Sequence, residues 1–370
     1  MRVPMADLQG QYQRIKSELD SAVLAVMAKC QFGLGDNVKA LEQEIAASCG
    51  AKYGIGVASG TDAIALSLVA LGIGRGDEVI TTPFTFVATT EVIALIGAKP
   101  VYADIDPETF NLDPQQIESK ITSRTKAILP VHLYGQAADV TPISEIAARH
   151  GLRVIYDGAQ AIGAETLGKP IGVFGDAVTL SFFPTKNLGA AGDGGMVLVN
   201  DEDLAEKLRC LRFHGSGGTY SYRQVGYCSR LDEIQAAVLR TKLPYLREWT
   251  AARRGNAETY RGLLSEVPIK LPEEKAGNKH VYHQFTIRSS DRDRLKDYLK
   301  SREIDSGIYY PSPLHLEEAY RYLGYKPGDL PEAERACREV LSLPVFPELT
   351  DQQLAHVAGS IRSFCEGRQV

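Results

Sequence analysis

Few cysteines and no paired ones mark this chain. The six (Cys30, Cys49, Cys210, Cys228, Cys337, Cys365) lie far apart, with no CxxC among them. A disulfide scaffold and a zinc ribbon are both poor readings of that spacing. Basic excess is also lacking: 41 Lys and Arg stand against 46 Asp and Glu, a net charge of −5, so no nucleic-acid footprint is expected. No uninterrupted apolar run reaches a membrane-spanning length. The opening MRVPMADLQGQYQR has no apolar stretch of the secretory kind. The seven histidines show no HExxH or paired spacing, so no metal is expected. Repeats and low-complexity segments are absent. What remains is 370 residues, 44% hydrophobic and 24% charged: ordinary globular composition, long enough for two domains, with the cytoplasm as the default location.

Hydrophobic periodicity predicts a helix over 9–29 and another over 37–48, with Asp36 as its N-cap. Short apolar runs then alternate with helical stretches. The runs are Tyr53–Ala58, Glu78–Thr81, Pro100–Ala103, Ala127–Val131, Leu152–Tyr156, Ala177–Phe182 and Gly195–Val199. That rhythm argues for an α/β fold with a mostly parallel sheet covered on both faces, and for a site at the carboxyl ends of its strands. Beyond residue 200 the pattern changes. A helix is expected over 201–211, a mobile Gly- and Tyr-rich loop over 214–226, and one long helix from Leu231 to about Arg261. A smaller α+β unit follows, with strands near 281–288 and 304–310, a helix at 290–302 and a last helix after Thr350. We expect a large domain over 1–250 and a small one over 251–370.

Four features carry chemistry. Ser59-Gly60-Thr61-Asp62 lies between a strand and a helix, as an anion site at a helix N-terminus does, or as an ordinary N-cap does. Asp157 closes an apolar run, where it could ligate a metal, accept from a ribose, hold a protonated ring nitrogen, or cap a helix. Lys186 sits in SFFPTKNLG, after a strand and before the Gly-rich 189–195. A buried amine there loses proton affinity and can form a Schiff base; the alternative is a surface lysine. Phe86 belongs to an FTF run that is either core or a stacking face. A phosphate cradle, a ring-nitrogen acid, an imine-forming lysine and a flat aromatic together fit one common cofactor, pyridoxal phosphate.

The chain resembles the sugar aminotransferases of the DegT/DnrJ/StrS group, fold-type I pyridoxal-phosphate enzymes. The resemblance runs from VPMADL through LGIGRGDEVITTPFTFVAT (71–89), PVHLYGQ (130–136), YDGAQAIGA (156–164) and SFFPTKNLGAAGDGG (181–195). It continues to GYCSRLDEIQAAVL (226–239) and YYPSPLHL (309–316). It implies that Lys186 forms the Schiff base, that Asp157 pairs with the pyridine nitrogen and that Gln160 lies near the ring hydroxyl. Phe86 would stack on the ring, while Gly60, Thr61, Asp62 and Ser181 would bind phosphate. It further implies a homodimer with shared sites, in which the 226–230 segment reaches the neighbour's cofactor. Where relatives carry Asn there, this chain has Cys228, a weak donor. Tyr156 and Gly158 replace a usual Glu and Ala, and Gly35-Asp36-Asn37 replaces a usual GPE or GEE. Relatives that act as dehydratases have histidine in place of Lys186.

The implied activity is transfer of an amino group from glutamate, released as 2-oxoglutarate, to a keto sugar linked to a nucleotide diphosphate. The motifs look most like members acting at C3, on UDP-3-keto-N-acetylglucosaminuronate or a dTDP-3-keto-6-deoxyhexose. Amination at C4, or a regulatory protein that binds the cofactor without turnover, are the alternatives. Arg230 is a candidate for a carboxylate or for an interface ion pair. Tyr310 and His315 are candidate substrate contacts or structural residues, and His214 a gate.

Overall fold

A computed structural model describes residues 1–367, so the last three positions of the expected 251–370 unit lie outside the described residues. The first expected helix is two: α1 (Leu8–Arg14) and α2 (Lys16–Lys29), broken at Ile15, whose backbone leaves the helical region (φ −118°, ψ 21°). Ile15 and Leu19 pack on Val238 and Trp249. Helix α3 (Asp36–Ser48) has Gly35, not Asp36, at its N-cap. Its free amides are satisfied from afar: a Glu233 carboxylate accepts from the amides of Asn37 (3.0 Å) and Val38 (2.8 Å). The orphan donors of a helix start are thus met by a tertiary partner instead of a local cap.

The main sheet comprises β1 (Tyr53–Val57), β2 (Glu78–Thr81), β3 (Lys99–Tyr102), β4 (Thr125–Leu129), β5 (Arg153–Asp157), β6 (Ala177–Ser181) and β7 (Gly195–Val199). Their spatial order is β1-β7-β6-β5-β4-β2-β3. Strand β7 runs antiparallel to both neighbours, and the other pairings are parallel. Helices α4 (Gly60–Ala70), α5 (Ala88–Leu95), α6 (Val140–His150), α7 (Glu202–Arg212) and α8 (Glu233–Lys242) cover it. One core joins Ile64 and Leu68 of α4, Val92 of α5 and Leu208 of α7. The opposite one joins Leu41 of α3, Ile143 of α6 and Leu239 of α8. Burial on both faces is why these strands read as near-continuous apolar runs.

The long helix expected over 231–261 is interrupted by a 3₁₀ turn at Leu243–Tyr245. Pro244 offers no amide hydrogen there, and α9 (Leu246–Leu264) resumes after it. The 214–226 segment holds a short hairpin, Ser216–Gly218 against Ser221–Tyr222. Downstream, β8 (Phe285–Arg288) pairs antiparallel with β9 (Val340–Leu343). The expected strand at 304–310 is not one; only isolated bridges link Ile304 to Val3 and Gly307 to Ser342. Helices α10 (Arg292–Ser301), α11 (Pro331–Glu339) and α12 (Asp351–Glu366) complete this part, α12 opening on a capping box between Thr350 and Gln353. A third core gathers Tyr260, Phe285, Leu295, Leu341 and Val357, and Val3 packs with it. The 250/251 boundary we propose falls inside α9. Among the described residues no helix is long and apolar enough to cross a membrane.

Candidate active site

Strands β5 and β6 end in Asp157 and Ser181, and β1 leads through Ser59 into α4. Their carboxyl ends border a cavity of about 600 Å³ that both Lys186 and Asp157 line. Asp157 is buried. Its Oδ2 accepts from the Thr89 hydroxyl (2.7 Å) and its Oδ1 from the Ala159 amide (3.0 Å). Burial raises its pKa; the two hydrogen bonds and the charge of Lys186 oppose that. Lys186 sits on a turn closed by its own amide donating to the Phe183 carbonyl (2.9 Å). The side chain keeps partial solvent access, yet burial of the amine lowers its pKa to about 8, against the pull of Asp157. Competitive acylation of the apo-protein should therefore label Lys186 half-maximally near pH 8. Ordinary lysines titrate at about 10.4. A Lys186 that labels like them would remove it as a nucleophile at neutral pH.

The start of α4 supplies an anion cradle. Ser59 is its N-cap: the hydroxyl accepts from the Asp62 amide (3.0 Å) and the carbonyl from the Ala63 amide. The amides of Gly60 and Thr61 have no intrahelical acceptor and border the cavity. Gly60 is required here, since a Cβ on it would stand 2.7 Å from the Ser181 Cβ. The Asp62 side chain, expected at the phosphate, is not in the cavity. Its carboxylate accepts from the Ser229 hydroxyl at 2.6 Å, tying α4 to the 226–230 segment, and a carboxylate would in any case repel a phosphate.

The Phe86 ring lies half-exposed on the cavity, 6.5 Å from the Tyr310 ring. Gln160 accepts from the Tyr134 amide (2.8 Å) and donates to the Tyr310 hydroxyl (3.2 Å), which leaves one amide hydrogen for a ligand. Tyr310 is thus brought to the site. His315 is not: it is buried, with Nε2 3.3 Å from Glu334 and its ring against Tyr102 and Tyr325. Those surroundings make it a packed core histidine. His214, Cys228 and Arg230 form a cluster of their own that does not line this chain's cavity. Arg230 donates to the Cys228 sulfur (3.0 Å), approaches the His214 Nε2 (3.3 Å) and lies over the Phe213 ring.

Several site residues escape the sequence reading. Thr89 holds Asp157 and meets the Thr85 hydroxyl at 3.1 Å; the i,i+4 threonine spacing in TTPFTFVATT was the available signal. His283 and Gln284 line the cavity, although VYHQFTIR reads as a single strand, because β8 begins only at Phe285. Among the described residues no group of three or more His, Cys, Asp or Glu is placed to hold a metal.

Residues 13–362 match the DegT/DnrJ/EryC1/StrS aminotransferase family. The chain belongs to that family. It is similar to a pleiotropic regulatory protein of Geobacillus stearothermophilus, 54% identical over 98% of this chain and 99% of the relative. A UDP-N-acetyl-3-dehydro-α-D-glucosamine 3-aminotransferase of Acidithiobacillus ferrooxidans is 47% identical over 99% of this chain and 98% of that one. Among solved structures, Streptomyces venezuelae DesV in complex with a ketimine intermediate superimposes with a TM-score of 0.97 at 43% identity, covering 99% of each chain. The fold is that of the fold-type I transferases, and the protein is an aminotransferase.

Proposed function

We propose that this aminotransferase uses pyridoxal 5′-phosphate to move an amino group from glutamate to C3 of a nucleotide-linked 3-keto sugar. The observation that carries the reading is the pairing of a lowered-pKa lysine with a buried aspartate in one cavity, beside a helix N-terminus. The residues fit the cofactor. Gly60, Thr61 and Ser181 would hold its phosphate, where amide donors and the helix dipole favour an anion. Phe86 offers a flat open face, and Gln160 an amide hydrogen. When bound, the cofactor supplies an aldehyde that takes up amines and a ring that accepts the electrons of a carbon losing its proton.

The protein's own residues do the rest. Asp157 would hold the proton on the ring nitrogen, a duty for which Thr89 and the Ala159 amide keep the carboxylate oriented. Lys186, with a pKa near the working pH, would take a proton from the donor carbon and return it. The relative named as a 3-aminotransferase of a UDP-linked sugar supports C3 over C4. The name of the Geobacillus relative keeps a regulatory reading in view, and a half-reaction separates the two. Glutamate should convert the bound cofactor to its amine form, with 2-oxoglutarate released. The reduced enzyme should then aminate 3-keto but not 4-keto sugars from a panel linked to UDP or dTDP. Absence of the half-reaction would sink the transaminase reading.

We further propose a homodimer in which residues 226–230 of one protomer reach the partner's cofactor phosphate. Cys228 is exposed, as such a role needs. A thiol recovers little of the roughly 1.5–3 kcal/mol of a hydrogen bond to a charged group. Cys228→Asn is therefore expected to tighten cofactor binding about tenfold, measured as a dissociation constant, with the dimer unchanged by light scattering. Unchanged or weaker affinity would make Cys228 a packing residue only. All six cysteines are unpaired, a state reducing compartments preserve, and we place the enzyme in the cytoplasm.

A further inference from the structure

We propose that Asn187 and His283 act as a unit that positions Lys186: Asn187 fixes His283 as a neutral imidazole whose Nε2 lone pair accepts a hydrogen from the lysine's amino group. The proposal rests on the reading of Lys186 as the reactive amine. Asn187, buried and next in the chain to Lys186, donates its Nδ2 hydrogen to the Val281 carbonyl (3.0 Å). That assigns its Oδ1 to the other contact, the His283 Nδ1 at 3.2 Å. An amide oxygen only accepts, so Nδ1 carries the imidazole hydrogen. The hydrogen bond made by one ring nitrogen decides the state of the other, and Nε2 is left bare. The same amide clamps the turn that carries Lys186 to the 281–283 segment.

His283 and Lys186 line the same cavity. Burial, with the charges of Lys186, Arg253 and His280, holds the His283 pKa well below the ordinary histidine range. The ring is thus uncharged at neutral pH, and its Nε2 an acceptor. Besides Lys186 and His283, the titratable groups that border the cavity are Asp157 at the end of β5, Asp193, Tyr309 and Tyr310. Of its lining side chains, Lys186 is the one cationic donor. An acceptor bonds an ammonium more strongly than an amine, so His283 favours the charged lysine. It does so without the full compensating charge a carboxylate would bring. That suits an amine which must release and regain a proton in successive steps.

The test reads Lys186 in the apo-protein, free of turnover. His283→Phe keeps the ring volume and removes the acceptor. The pH midpoint of Lys186 acylation should fall by about one unit, the equivalent of one charge-assisted hydrogen bond. His283→Gln should restore it, its amide donating to Asn187 and its oxygen facing the cavity. A Phe variant that melts like wild type but titrates unchanged would overturn the proposal, and so would a Gln variant that behaves like Phe. If the Phe variant does not fold, ¹⁵N NMR of the wild-type histidines at about pH 6 decides: His283 should show a protonated Nδ1 and a bare Nε2, while the opposite tautomer or a charged ring refutes it. Failure of the parent reading looks different, because wild-type Lys186 would then itself titrate as an ordinary lysine.

Discussion

Lys186→Ala is expected to abolish amino transfer, by at least roughly 10⁴-fold, the upper end of what a positioned proton carrier contributes, while the cofactor still binds without a covalent bond. The amine has two duties in the proposed reaction, and alanine can perform neither. Asp157, Phe86, Ser181 and the start of α4 remain to hold the cofactor. One other lysine competes for the role. Lys242 on α8 is also buried with a lowered pKa, but it donates to the Gly189 carbonyl at 2.7 Å and does not line the cavity. Borohydride treatment of the holoenzyme followed by peptide mapping separates the two. The pyridoxyl group should be found on Lys186, and the Ala variant should carry none. A tag on Lys242, or near-normal turnover by the variant, would refute the assignment.

How much of this was legible depends on the distance between partners. EVIT at 78–81 and the run at 195–199 are strands at the residues expected, because strands buried on both faces declare themselves by composition alone. Asp157 and Lys186 stand out for a related reason: Asp157 directly follows such a run, and Lys186 lies four residues past the end of another. The cap of α3 was not legible. Nothing near Gly35 announces that Glu233, nearly two hundred positions on, will accept its amides. Val340–Leu343 was missed as the partner of β8 for the same reason, and a bridge-forming segment near 304 took its place in the reading. His315 shows the converse error. It lies in a motif-like stretch, YYPSPLHL, in which Tyr310 reaches the cavity and His315, five residues later, turns into the core against Glu334. Side-chain direction in irregular backbone has no period to read.

Asp157→Asn should cut turnover by roughly 10²–10³-fold, the range for losing one preorganised electrostatic partner, while the apo-protein stays as stable as wild type or becomes more so. Both halves follow from burial. A neutral amide cannot keep a proton on the ring nitrogen, so the electron sink weakens. The native carboxylate, however, is costly to the empty fold. Burial raises its pKa, so from the ordinary carboxylate range up to that shifted value the folded chain holds a proton that the unfolded chain has lost. Stability from this group is present below the unfolded pKa and is lost as pH rises through the folded one. Above the shifted pKa the wild-type apo-protein bears the whole penalty of the buried carboxylate, and asparagine does not. Nor need the hydrogen bonds be lost. The amide oxygen can still accept from the Ala159 amide, and its NH₂ can donate to the Thr89 hydroxyl, which is then free to donate to Thr85. Turnover and apo melting temperature at neutral pH, measured together, separate a catalytic aspartate from a structural one. If melting falls by several degrees while turnover is little changed, Asp157 is a cap for the turn at Ala159, and the proposed proton-holding role fails with it.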